Sequence, residues 1–124
     1  MAPDEQPPTP ALPLTPATFQ ILLALAAGER HGYGIMQEVE ALTEGRVRLG
    51  PGTLYRTLRT LLGGGLIAEA AERPVPESGD ERRRYYRLTS AGHRAAEAEA
   101  ARLARLVELA RERRLLLGAH ETRG

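Results

Sequence analysis

Cysteine, lysine and tryptophan are all missing from the 124 residues. Without cysteine there is no disulfide framework and no thiolate metal site, and the redox compartment is left unconstrained. Without tryptophan, and with Phe19 and four tyrosines as the only aromatics, there is no obvious stacking platform for a planar ligand. Phe19 and Tyr33, with any seam between two copies of the chain, are the candidate pocket walls. With no lysine, all 17 basic residues are arginine, which beside abundant Ala and Gly fits a GC-rich genome. Arginine also offers bidentate hydrogen bonds that lysine cannot make. No run of 18 apolar residues is present, so a membrane span is not expected. Nor does a basic region followed by an apolar stretch open the chain, so no secretory signal is expected. A soluble cytoplasmic protein is the expectation.

Catalytic signatures are missing as well. There is no Gly-rich phosphate loop, no Gly-x-Ser-x-Gly and no paired Cys/His. Gly63–Gly65 follow a helix instead of linking a strand to one, and so read as a helix stop. His31, His93 and His120 lack ligand spacing. No catalytic residue, metal or cofactor is assigned, and turnover is not expected.

What is present is a pattern of charge. Net charge is only +1, but residues 45–65 carry Arg46, Arg48, Arg56 and Arg59 with no acid. Residues 81–87 carry Arg82, Arg83, Arg84 and Arg87 against Glu81 alone. Two basic stripes on a near-neutral chain suit a localised phosphate-binding face, and they also suit solvated surface.

Taken in order, residues 1–13 hold five of the nine prolines and read as a disordered tail. Thr15-Pro16 starts a helix running to about Ala27, stopped by Gly28. Its apolar residues, Phe19, Ile21, Leu22, Leu23 and Leu25, exceed one stripe, which places it deep in the core or against a second subunit. Ile35, Met36, Val39 and Leu42 give a second amphipathic helix, and Arg46–Leu49 a connector or brief strand. The third helix, Thr53–Leu62, puts Leu54, Leu58, Leu61 and Leu62 within an arc of about 100°. Arg56, Arg59 and Thr60 lie opposite, with Thr53 at the edge. A plain amphipathic surface helix and a DNA-reading helix share that pattern. Leu66–Glu69 and Arg83–Leu88 then form a two-stranded hairpin with a long tip. Leu88 marks its core face, which makes Tyr86 a core tyrosine. Arg83 and Arg87 flank Tyr85 on the other face, either for phosphate contact or for ordinary cation–π packing. Thr89-Ser90 caps a last helix running to about Leu117. Its stripe of Ala96, Ala100, Leu103, Leu106, Val107, Ala110 and Leu117 is too long for so small a domain to cover, and a second copy of the chain is its expected partner.

This order predicts a mainly α protein with a small β-hairpin (α+β): a winged helix-turn-helix over 14–89, a dimerisation helix over 90–117 and a flexible tail over 118–124. The residues also resemble a known family. Leu22-Leu-Ala-Leu25 before Gly28, His31-Gly-Tyr33, Gly52-Thr-Leu-Tyr-Arg-Thr-Leu58, Gly65-Leu-Ile67 and Arg83-Arg-Tyr-Tyr-Arg-Leu-Thr-Ser-Ala-Gly92 look like the PadR family of bacterial transcriptional regulators. The Gly-Thr-Leu-Tyr and Tyr-Tyr-Arg-Leu-Thr-x-x-Gly segments are the specific part, and the likeness covers roughly Leu14 to Leu117. Gly34 departs from it, standing where the family commonly has Glu, so the second helix is expected to start more loosely. The resemblance implies a homodimer of the short-tailed branch that binds double-stranded operator DNA and usually represses, releasing DNA when an effector arrives.

On that reading Arg56, Arg59 and Thr60, with Thr53, face the bases. Tyr55 and Arg48 meet phosphates, and Arg82, Arg83 and Arg84 on the wing touch backbone or minor groove. Phe19 and Leu22 join the stripe of the last helix in the dimer interface. Two other readings share these features: a dimeric helical adaptor that binds protein, and a MarR-like regulator, a fold that normally has more flanking helices than this chain can supply.

Overall fold

The computed structural model describes residues 12–74 and 82–116. The first eleven residues, the hairpin tip and the chain from Leu117 onward, with the tails expected there, lie outside the described residues. Four helices and three strands follow in order: α1 (Pro16–Ala26), β1 (Arg30–His31), α2 (Gly32–Leu42), α3 (Pro51–Gly63), β2 (Ile67–Pro74), β3 (Arg82–Leu88) and α4 (Ser90–Glu112). Each sequence-predicted element is present, the connector from Arg46 to Leu49 forms no strand, and β1 is additional.

α1 sits at the centre. Thr15 caps it, its hydroxyl accepting from the Thr18 N–H at 3.2 Å, with Pro16 at the first helical position. Ile21, Leu22, Ala24 and Leu25 are buried, and Leu23 alone of this run points out at 43% exposure. Of the two explanations for an apolar excess on α1, the chain's own core accounts for most of it. Leu22, expected at a dimer interface, is completely buried inside a single chain and has no surface to offer a partner; that assignment is corrected. Ile35 and Val39 of α2, Leu54, Leu58 and Leu61 of α3, and Leu66, Ile67, Tyr86 and Ala95 complete the core. Leu62 ends only partly buried against it.

β3 is the middle strand of a three-stranded antiparallel sheet, order β1-β3-β2. Arg30 and His31 pair with Tyr86 and Tyr85, so the expected two-stranded hairpin gains a third strand from the turn before α2. β1 is only two residues long and carries no periodicity that a sequence could reveal. Arg30 also fastens α1 to α2: its Nε donates to the Ala24 carbonyl at 3.1 Å, and its guanidinium pairs with Glu38 at 3.4 Å.

α4 turns two different faces to its surroundings. Gly92, Ala95 and Glu99 are buried against the domain, while the adjacent stripe runs outward, with Leu106 and Val107 at 49% and 42% exposure. Along that stripe Ala96, Leu103 and Ala110 are half-buried and Ala100 is exposed. The helix is shorter than expected, ending at Glu112, about 35 Å at 1.5 Å per residue. Arg114 adopts φ 63°, and the Leu115 N–H donates back to the Ala110 carbonyl at 2.8 Å. This is a left-handed helix stop made without glycine, and it removes Leu115 and Leu116 from the helix that carries the stripe.

Among the described residues Glu99 is the one buried charged side chain, at 2% exposure. Arg102 grips its carboxylate with two bonds of 2.8 and 2.7 Å. That pairing, opposed by desolvation and helped by the Leu14 backbone, holds the carboxyl below its ordinary pKa. Leu14, ahead of α1, is thereby tied to the middle of α4.

Candidate nucleic-acid interface

α3 is bounded by residues that favour helix ends. Gly50 is its N-cap and offers no side chain to the first-turn N–H groups; Pro51 opens the helix. With no acid in that turn, its amides form a local positive pole. At the other end Gly65, at φ 76°, lets the chain reverse into β2. Leu54, Leu58 and Leu61 are buried, while Thr53, Tyr55, Arg56, Arg59 and Thr60 are exposed. Among the described residues no acid pairs with Arg56 or Arg59. The Thr60 hydroxyl donates to the Arg56 carbonyl at 3.2 Å, which leaves its oxygen lone pairs facing outward.

A tight turn joins α2 to α3. After α2, Glu44 and Gly45 both take positive φ, 55° and 79°, and Thr43 closes the turn, its hydroxyl oxygen accepting from the Val47 N–H at 3.0 Å. The expected looseness at Gly34 does not occur. The His31 Nδ1 accepts from the Gly34 N–H at 3.1 Å and caps α2, which requires Nδ1 to be unprotonated. The same ring stands edge-on to Tyr85 at 5.3 Å, so His31 links α2 to the wing. Gly32 is buried directly beneath Tyr55, and a Cβ there would overlap the phenol oxygen. Tyr55, expected at phosphates, thus spends its inner edge on packing against α2 and keeps 44% exposure.

The wing arginines do not act as one group. Arg83 is half-buried with its guanidinium 5.9 Å from the centre of the Tyr33 ring, on the α2 side of the sheet. Arg84 points the other way and pairs with Glu69 at 3.1 Å. It lines a groove of about 320 Å³ between α3 and the wing, together with Tyr55, Leu58, Arg59, Leu62, Glu69 and Tyr86. Tyr86 is at 6% exposure, as its place beside Leu88 predicted, and burial pushes its phenol above the ordinary value while Arg84 opposes. Arg82 lies in β3, paired with Pro74. Arg48 is exposed and pairs loosely with Glu40 at 3.5 Å. An exposed pair of this kind is worth no more than about 1 kcal/mol, so it does not withdraw Arg48 from an anionic partner.

Three roles were not assigned from sequence: the buried pairing of Glu99, the seat that Gly32 of the His31-Gly-Tyr33 motif gives Tyr55, and His31 as a cap. Glu99 was detectable as the one acid on the apolar side of α4 with an arginine three residues on. The other two depend on contacts between elements distant in sequence.

A helix-turn-helix whose second helix turns arginines and threonines outward, beside a hairpin packed on its flank, defines a winged-helix protein. Residues 21–98 match the Transcriptional regulator PadR-like family, and the chain belongs to that family of transcriptional regulators. It is 41% identical over 90 residues to an uncharacterised 37.1 kDa protein in transposon TN4556 of Streptomyces fradiae. That match takes in 73% of this chain and only 24% of the relative. Among solved structures it is similar to a PadR family transcription regulator from Clostridium difficile, with a TM-score of 0.63, 23% identity, and 77% and 94% of the two chains covered. It is also similar to Bacillus subtilis PadR in complex with operator DNA, with a TM-score of 0.58, 21% identity, and 69% and 47% covered. Of the two winged-helix alternatives, the family match favours PadR over MarR. No helix among the described residues is long and apolar enough to cross a membrane.

Proposed function

We propose that the protein binds operator DNA as a homodimer and represses transcription until an effector releases it. The observation that carries this reading is the outward face of α3. Thr53, Arg56, Arg59 and Thr60 are exposed together on a helix whose opposite side is anchored by buried Leu54, Leu58 and Leu61. Arg56 and Arg59 supply bidentate donors for base edges, and Thr60 a hydroxyl. The open amide pole of α3, Arg48 and the free edge of Tyr55 serve phosphates. Arg84, with Arg82 and Arg83 on the same strand, follows the backbone beside the groove.

The open stripe of α4, Ala96, Ala100, Leu103, Leu106, Val107 and Ala110, pairs with the same stripe of a second copy, with Phe19 beside it. Two-fold symmetry then requires inverted half-sites about one helical turn apart, or a multiple. The bound B. subtilis PadR complex and the fold shared with it support the reading.

A gel-shift titration against duplexes selected from a random pool tests it. R56A combined with R59A lowers affinity for the selected operator by about 1–3 kcal/mol per base-reading arginine. Undiminished operator affinity in that double variant would remove α3 as the reading element.

A further inference from the structure

Thr89 stands where the wing ends and α4 begins, and its hydroxyl is used in both directions. Oγ1–H donates to the Gly65 carbonyl at 2.7 Å, and Oγ1 accepts from the Gly92 N–H at 3.0 Å. Its backbone N–H donates to the Leu66 carbonyl at 3.1 Å. Leu66 is gripped from the far side too, its own N–H donating to the Leu61 carbonyl in the last turn of α3 at 3.0 Å. The Leu66 carbonyl rests so closely on Gly92 that a Cβ there would overlap it.

A continuous run of backbone bonds therefore leads from the end of α3, through the Gly65–Leu66 turn, to the first turn of α4. The turn is held at both ends, and no side chain lies between Leu66 and Gly92 to act as a cushion. α4 cannot rotate against α3 without breaking the two bonds from Thr89 to this turn.

We infer that Thr89 is a positioning residue for operator recognition: it fixes α4 to α3 and so sets the separation of the two reading helices in the dimer. This rests on the reading of α3 as the DNA-reading helix and α4 as the dimer seam. With the clamp intact, one half-site spacing is favoured because both protomers engage at once. With it loosened, each protomer still reads its own half-site, but the advantage of engaging both at one spacing is lost.

The bonds of Thr89 can be separated by substitution. T89S keeps donor and acceptor. T89D keeps an acceptor for the Gly92 N–H, so α4 stays capped, but it cannot donate to the Gly65 carbonyl. Wild type and both variants are titrated on a selected operator, on one half-site alone, and on duplexes with the half-sites moved apart one base pair at a time. In parallel, G63C is introduced into each background. The chain has no cysteine of its own, so one spin label per protomer reports the distance between the two α3 ends by electron–electron resonance without DNA.

T89S is expected to match wild type. T89D is expected to weaken all duplexes slightly through its charge, to lose about tenfold of the preference for the best spacing over the half-site, and to broaden the distance distribution. A wild-type spacing profile and a narrow distance in T89D would overturn the clamp. T89A, which removes both hydroxyl bonds without adding charge, is judged by the same two readouts if T89D does not unfold cooperatively. Wild type binding no DNA would end the operator reading, while the label distance would still decide the clamp. A monomeric wild type would end both.

Discussion

Replacing Gly92 by alanine sets two effects of opposite sign against each other. Gly92 lies in the first turn of α4, and alanine in a helix ordinarily gains about 1 kcal/mol over glycine. Here the new methyl group would fall on the Leu66 carbonyl oxygen, 2.8 Å from Leu88 Cδ1 and 3.0 Å from the Leu66 carbonyl carbon. Leu66 cannot yield, since its N–H and its carbonyl are both bonded. α4 must then lift from the turn, giving up the two bonds from Thr89, each worth about 0.5–1.5 kcal/mol net. Packing strain adds about 1–3 kcal/mol. After subtracting the helix gain, the net loss is roughly 1–5 kcal/mol. Thermal unfolding of the full chain, followed by circular dichroism at one protein concentration, should show this as a fall in Tm of roughly 5–25 °C. Gly63 is the control, because nothing lies within 4 Å of a Cβ added there; G63A should gain about 0.5–1 kcal/mol. G92A melting at or above the wild-type temperature would refute the steric reasoning.

Two further outcomes follow from the buried polar contacts. Arg102 holds Glu99 below its ordinary value of 4.5, so the ionised carboxylate stabilises the fold above about pH 4.5, and that contribution is lost as pH falls through the lowered value. E99Q, which has no such proton to gain, should give a shallower acid limb in stability measured between about pH 5 and 3; an unchanged slope would exclude Glu99 as a source of acid sensitivity. At the start of α2, H31A gives up both the cap and the edge contact with Tyr85, whereas H31N keeps a capping acceptor. Urea titration should rank wild type above H31N and H31N above H31A, with the cap alone accounting for about 0.5–2 kcal/mol; equal losses in the two variants would deny the cap.

Elements with repeated apolar spacing were legible in the sequence. Leu54, Leu58 and Leu61 announced the inner face of α3, and the alternation ending at Leu88 placed Tyr86 in the core. Single long-range contacts were not legible. β1 exists because Arg30 and His31 meet β3, and two residues have no period of their own. Leu22 looked available to a partner because α1 is apolar on more than one side, yet α2, the sheet and α4 enclose most of that helix. The end of α4 was misjudged because Leu115–Leu117 prolong the apolar pattern, while Arg114 takes a left-handed conformation usually left to glycine. Within the candidate site, Arg56, Arg59 and Thr60 could be placed by helical phase alone. Arg83 and Arg84 could be assigned to opposite faces by alternation, but their attachments to Tyr33 and Glu69 depend on what the sheet packs against.

The strand order bears on how the protein behaves when concentrated. β3, with its paired tyrosines, is shielded between two neighbours, so the sheet exposes only β1 and β2 as borders. One border is two residues long. The other is interrupted by an irregularity between Ala70 and Arg73 and finishes at Pro74, a residue with no N–H to donate. Short, kinked and proline-ended strands are poor templates for a strand from another molecule. The borders of this sheet therefore offer little for sheet-to-sheet growth, even though the wing is a β-structure at the surface of the domain.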